Sequence, residues 1–195
     1  MAQAQGTHQQ ARTVTTEDHG KLNIRSLVLL AILLAAGFIL NFTLGRAISS
    51  VTGGMISPEF IISAFCLTIL VVRPKVPQAL IIGLISAAVI QLTTTSPGVD
   101  FIAESIAAML MAIIVRAGMR TGARKAIPLV GSFVTTVVSG VIFMIIRIAM
   151  VGAAQQLAAA MLPVVFATGA FNAILVAALY VPICKALKVQ PFQAE

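Results

Sequence analysis

Seven side chains with ionic or amide chemistry interrupt an otherwise apolar sequence: Asn41, Glu59, Gln91, Asp100, Glu104, Arg147 and Asn172. An ionisable group inside a bilayer costs at least ~2.5–3.5 kcal/mol at mid-helix, so such groups are paired or line a cavity. Carboxylates, amides and a guanidinium recognise polar solutes by charge and hydrogen bonding. They are a poor catalytic set, because no histidine or activated thiol stands with them. His8 and His19 both fall in the polar N-terminal stretch. Cys66 and Cys184 lie in or beside apolar runs, without metal or redox spacing, and read as small hydrophobes. The expectation is a binding protein, not an enzyme, with no cofactor and no metal.

The elements that must hold these residues are six apolar stretches: Ser26–Gly45, Met55–Val72, Pro77–Thr95, Phe101–Met119, Ile127–Val151 and Leu162–Leu187. Each is close to the ~20 residues that cross ~30 Å of hydrocarbon as a helix. The fold class read from them is an all-α membrane protein, a six-transmembrane-helix bundle. All the basic residues except Arg46 and Arg147 fall at alternate gaps. Arg12, Lys21 and Arg25 precede span one, and Arg73 and Lys75 separate spans two and three. Arg116, Arg120, Arg124 and Lys125 join spans four and five, and Lys185 and Lys188 close span six. Short basic loops stay cytoplasmic, which puts both termini inside a cell membrane.

The chain has 195 residues, 59% of them hydrophobic, and a mean hydropathy of +1.03. That leaves a polar N-terminal tail over residues 1–25, a membrane domain over 26–188 and a short C-terminal tail over 189–195. No soluble nucleotide-binding or catalytic domain fits in the remainder. The first apolar run is too long for a signal peptide and lacks a convincing cleavage site. A net charge of +7 invites comparison with nucleic-acid binders. Its placement at helix ends on one side points instead to anionic lipid head groups, at about 1 kcal/mol per nearby cation.

The outer connections differ from the inner ones. Arg46–Gly54 carries Ser49, Ser50, Thr52 and the Gly53–Gly54 pair, and Gly152–Met161 is apolar enough to lie over the helices. Both suit a lid, and both equally suit plain connections. With the termini inside, Glu59 sits in the first turn of span two, Asp100 at the mouth of span four and Glu104 one turn in. Arg147 lies ~30 Å along span five, and Asn172 about 15 Å into span six. The seven polar residues therefore gather in the outer half, as a pocket open to one side requires. Each also has a plainer role: first-turn carboxylates are favoured by the helix dipole, and an arginine can snorkel outward. A mid-membrane carboxamide such as Asn172 needs a partner under either reading.

Span one carries small residues four apart, Ala31 and Ala35. Gly53-Gly54-Met55-Ile56-Ser57-Pro58-Glu59-Phe60 follows it. Next comes Ile82-Gly83-Leu84 through Leu92-Thr93-Thr94-Thr95-Ser96-Pro97-Gly98, and then Met161-Leu162-Pro163 through Phe171-Asn172 to Tyr180-Val181-Pro182-Ile183. In order and spacing these stretches resemble the substrate-binding S components of energy-coupling factor (ECF) transporters, nearest to the tryptophan transport protein family. The resemblance covers nearly everything after the tail.

It implies an outward-facing site that captures a small solute, with tryptophan as the first expectation. It also implies partners: a transmembrane coupling subunit and two ATPase subunits, with Ala31 and Ala35 on the coupling face. The S component is then thought to topple in the bilayer and release its solute inward. No nucleotide-binding glycine-rich loop is present, so energy must come from those partners. The substrate-binding residues expected are Glu59, Gln91, Glu104, Arg147 and Asn172. Arg147 would take a substrate carboxylate, Glu59 or Glu104 an ammonium, and Phe60, Phe101, Phe143 and Phe171 would flank a ring. The family pattern has an Asn and an Asp-Lys-Pro after span three, where this chain reads Asp100-Phe-Ile-Ala-Glu104-Ser105. Arg147 also stands where an apolar residue is expected, and both departures bear on the substrate.

The alternative is a stand-alone secondary transporter of an aromatic or vitamin-like solute. Such proteins commonly carry inverted repeats and midplane polar groups. No clear repeat is visible here, and only Asn172 sits that deep. A purely structural subunit would leave the outer polar cluster without a purpose.

Overall fold

The computed structural model describes residues 22–94, 96–122, 124–151 and 154–192. The polar tail with His8, His19, Arg12 and Lys21 lies outside the described residues, as do Thr95, Gly152 and positions 193–195. All regular structure among the described residues is helical: α1 (Ile24–Leu40), α2 (Arg46–Val51), α3 (Phe60–Val72), α4 (Val76–Ile90), α5 (Val99–Arg120), α6 (Ser132–Val151) and α7 (Ala154–Ala186).

Four helical rods are long and apolar enough to cross a membrane: Ile24–Val51, Val99–Arg120, Arg124–Met150 and Ala158–Ala186. Their character is that of a membrane-embedded protein. The first rod starts where the Asn23 side chain accepts hydrogen bonds from the Ser26 N–H and hydroxyl, each at 2.9 Å. It continues through a π-helical turn at Asn41–Gly45 into α2. The segment Arg46–Gly54, read from sequence as a loop, is thus helical as far as Val51 and turns only at Gly53 and Gly54. Both of those have positive φ, a conformation glycine adopts at no steric cost. At the second expected loop, Gly152–Met161, α7 is already helical from Ala154.

The second and third apolar stretches make shorter helices than expected. α3 has 13 residues and α4 has 15, or roughly 20 and 22 Å at 1.5 Å per residue. Proline sets the limits of α3. Pro58 has no N–H to give and forces the residue before it to be extended, so α3 begins only at Phe60. At its other end Arg73 turns left-handed, at φ 53°, ahead of Pro74. Pro77 then occupies the first turn of α4, where the missing donor does no harm.

A helix this short must bury its ends in protein, and α3 does. Every residue from Phe60 to Val71 is buried, which makes it the central post of the bundle. α1, α5 and α7 pack around it, α4 pairs with α5, and α6 with both α5 and α7. Phe65, Ile69, Leu70, Ile82, Met111, Val176 and Tyr180 form the core. Ile32, Ile39, Ile102, Ile113, Ile145, Phe166 and Ile174 face outward, as lipid-facing residues would.

The two ends of the bundle are chemically opposite. Arg73, Lys75, Arg116, Arg120, Arg124, Lys125 and Lys185 gather at one end, set there by the helix limits. The described part of the C-terminal segment packs against that end. Phe192 packs 5.4 Å from the Tyr180 ring and its N–H donates to the Tyr180 hydroxyl at 3.2 Å. Arg73 lies 4.3 Å over the Phe192 ring and donates to the Gln190 carbonyl at 3.2 Å. The cavity described next is at the other end.

Candidate functional site: a polar cavity at one end of the bundle

The chain between Met55 and Glu59 is not helical, which leaves backbone groups that an apolar surrounding would strand. α7 supplies the partners. Thr168 Oγ1 accepts from the Ser57 N–H at 3.2 Å and donates to the Ser57 carbonyl at 3.1 Å. Asn172 Nδ2 donates to the Glu59 carbonyl at 3.2 Å and to Thr136 Oγ1 at 3.5 Å. Asn172 is fully buried, so these bonds lock the entry to α3 against both α6 and α7. Glu59 is thereby placed at the head of the central helix.

Its neighbours come from α5. Gly83 in α4 sits against that helix so tightly that a Cβ would stand 2.7 Å from the Glu104 carbonyl oxygen. Gln91, at the end of α4, accepts from the Gly98 N–H at 3.0 Å and donates to Asp100 Oδ2 at 3.2 Å. The turn into α5 and its first carboxylate are thus fixed together. Ser139 in α6 donates to Glu104 Oε1 at 2.9 Å. Glu104 Oε2 has no hydrogen-bond partner among the described residues.

These elements enclose a cavity of about 410 Å³. That size falls within the ≈ 300–1,000 Å³ range of small-molecule sites. Glu59, Asp100 and Glu104 line it, with Asn41, Ser57, Thr93, Thr94, Thr136, Ser139 and Thr168 adding polar groups. Ile62, Ile90, Phe143, Met161, Val164 and Val165 form its apolar wall. A smaller hollow of about 160 Å³ shares Asn41, Ser57, Glu59 and Thr93 with it and adds Arg46, which stacks 4.2 Å over the Phe42 ring.

Of the five residues expected from sequence to bind substrate, Glu59 and Glu104 face the cavity. Gln91, Arg147 and Asn172 are not among its lining residues. Gln91 holds Asp100, Asn172 holds the Glu59 backbone, and the Arg147 guanidinium donates to the Ser96 hydroxyl. Of the four phenylalanines, Phe143 lines the cavity, while Phe60 and Phe171 pack edge-to-face at 6.0 Å. Phe101 is partly exposed. Cys66 and Cys184 are free and buried.

Sequence reasoning passed over the hydroxyl side chains of α6 and α7. A signal existed: Thr136, Ser139, Gly140 and Phe143 follow i, i+3, i+4, i+7 spacing, as do Met161, Val164, Val165 and Thr168. Each set is one helix face, mixed in polarity as a wet wall must be. Chemically the site can hold a small amphiphilic solute, with carboxylates and hydroxyls on one side and an apolar wall on the other. Searches against protein-family models, curated proteins and solved structures found nothing that matches this chain.

Proposed function

We propose that the protein is the substrate-capture subunit of an ATP-driven importer of the energy-coupling factor type, an S component, with tryptophan as the first candidate solute. The observation that carries this reading is a solute-sized cavity at one end of a helical bundle whose other end gathers the basic residues. Short basic segments stay cytoplasmic, so the cavity would open to the outside and both termini would lie inside. On this reading α3 and α4 complete six membrane passes, their ends sheltered by the longer helices around them. A cavity lined by residues at one end of the bundle suits a subunit that moves as a whole and takes its energy from partners.

Those partners would be a transmembrane coupling subunit and two ATPase subunits. Ala31 and Ala35 offer them a face. Both are exposed on α1, and the rod containing them is the least buried of the four long ones. Small residues at this spacing let a neighbouring helix approach closely.

The test is solute uptake by cells carrying the protein with and without an ATPase module. Uptake that requires the module, and that Ala31→Trp with Ala35→Trp abolishes while solute binding survives, is the expected result. Uptake driven by a proton or sodium gradient without the module would instead identify a stand-alone secondary transporter.

A further inference from the structure

The whole chain has six acidic residues, and Glu17, Asp18 and Glu195 lie outside the described part. The other three all face the same cavity: Glu59 from the head of α3, and Asp100 and Glu104 from successive turns of α5. No lysine, arginine or histidine lines it. None of the three is paired with a basic side chain among the described residues; Arg147 donates to Ser96 and Arg73 to Gln190.

Three acidic groups sharing one cavity inside a helical bundle are costly as anions unless a proton or a cationic group neutralises them, and a cationic solute can do so. Glu104 makes this sharpest. It is only 4% exposed, it spends one oxygen on Ser139, and the other has no partner among the described residues. The Glu59 carboxylate accepts no hydrogen bond from the described residues either.

We propose that this cavity selects solutes carrying a positively charged nitrogen, held among Glu59, Asp100 and Glu104. This rests on the capture-subunit reading and names the class of solute. Among the described residues no three acidic, histidine or cysteine side chains are grouped as metal ligands. Carboxylates spread around a larger cavity instead match an organic ammonium, whose N–H donors reach separate acceptors while its carbon skeleton meets Phe143, Val164 and Val165. Basic side chains stand outside the lining, Arg46 in the adjoining hollow and Arg147 against Ser96. An anionic group on the solute would therefore find no cationic partner on the cavity wall itself.

Two matched series test this on the purified full chain in detergent, read as ligand-dependent thermal stabilisation and as a dissociation constant. One is tryptamine, tryptophol and indole-3-acetate; the other is pentylamine, pentanol and pentanoate. An amine should stabilise the protein while its alcohol and acid do not. Glu104→Gln and Glu59→Gln, which keep the side-chain shape, should each weaken that amine by at least tenfold. An alcohol or acid binding as well as its amine would overturn the charge selection and leave the capture-subunit reading standing. Amine binding unchanged in both variants would move the site elsewhere in the bundle. Silence across both series would overturn the selection too, while module-dependent uptake, measured separately, would still decide the capture role.

Discussion

Asn172 joins three elements through one carboxamide. It ties the non-helical entry of α3 to α6 and α7 through the Glu59 carbonyl and Thr136. Losing a buried hydrogen-bond partner costs about 1–3 kcal/mol. Asn172→Ala should lower the thermal midpoint in detergent by several degrees, since each kcal/mol shifts a chain of this length by about 2–4 °C. An unchanged midpoint would mean that the bonds at Glu59 contribute nothing to stability. Polar residues in an apolar sequence were conspicuous enough to single out Glu59 and Glu104 as site residues, whereas Asp100, which also lines the cavity, reads equally as a first-turn carboxylate favoured by the helix dipole. Their division of labour was not legible. Whether Gln91 faces a solute or braces Asp100 depends on the turn at Gly98, and a one-dimensional pattern does not carry that geometry. The hydroxyls of Ser139 and Thr168 were overlooked because serine and threonine are common in membrane helices and bond to their own backbone.

Among the helices, the close contact between α4 and α5 holds Glu104 in place at the cavity wall. Gly83→Val would drive its side chain against the α5 backbone at Glu104 and Ser105, which cannot rotate away. Overpacking of this kind costs about 1–3 kcal/mol, and it should also weaken solute binding by displacing Glu104. Full stability together with native affinity in Gly83→Val would show that the two helices are further apart. The six apolar stretches each became helix, as hydropathy required. Their lengths did not follow, because Pro58 and Pro74 bound α3, and α4 stops at Ile90, ahead of the turn that Gln91 fixes at Gly98. The segments at Arg46 and Ala154 extended helices where turn residues had marked loops. Local turn chemistry is weaker than the continuation of an already formed helix in apolar surroundings, where unbonded backbone is penalised.

For the molecule as a whole, charge asymmetry gives an orientation that can be measured. Leu92 is 75% exposed in the turn beside the cavity, and Thr121 is exposed at the basic end. A membrane-impermeant maleimide added to intact cells should label Leu92→Cys, and reach Thr121→Cys only after permeabilisation. The native Cys66 and Cys184 are buried and should stay silent. The opposite labelling pattern would turn the cavity toward the cytoplasm and remove the case for capture from outside. The most direct measurement is calorimetry of tryptophan, with a panel of other aromatic and vitamin-like solutes, against the purified protein and Glu59→Ala. One saturable site for a panel member below about 1 μM, or roughly −8 kcal/mol, with affinity lost in Glu59→Ala, is the expected result. Saturable binding that Glu59→Ala leaves untouched, or no binding by any member of the panel, would contradict a solute-capture site in this cavity.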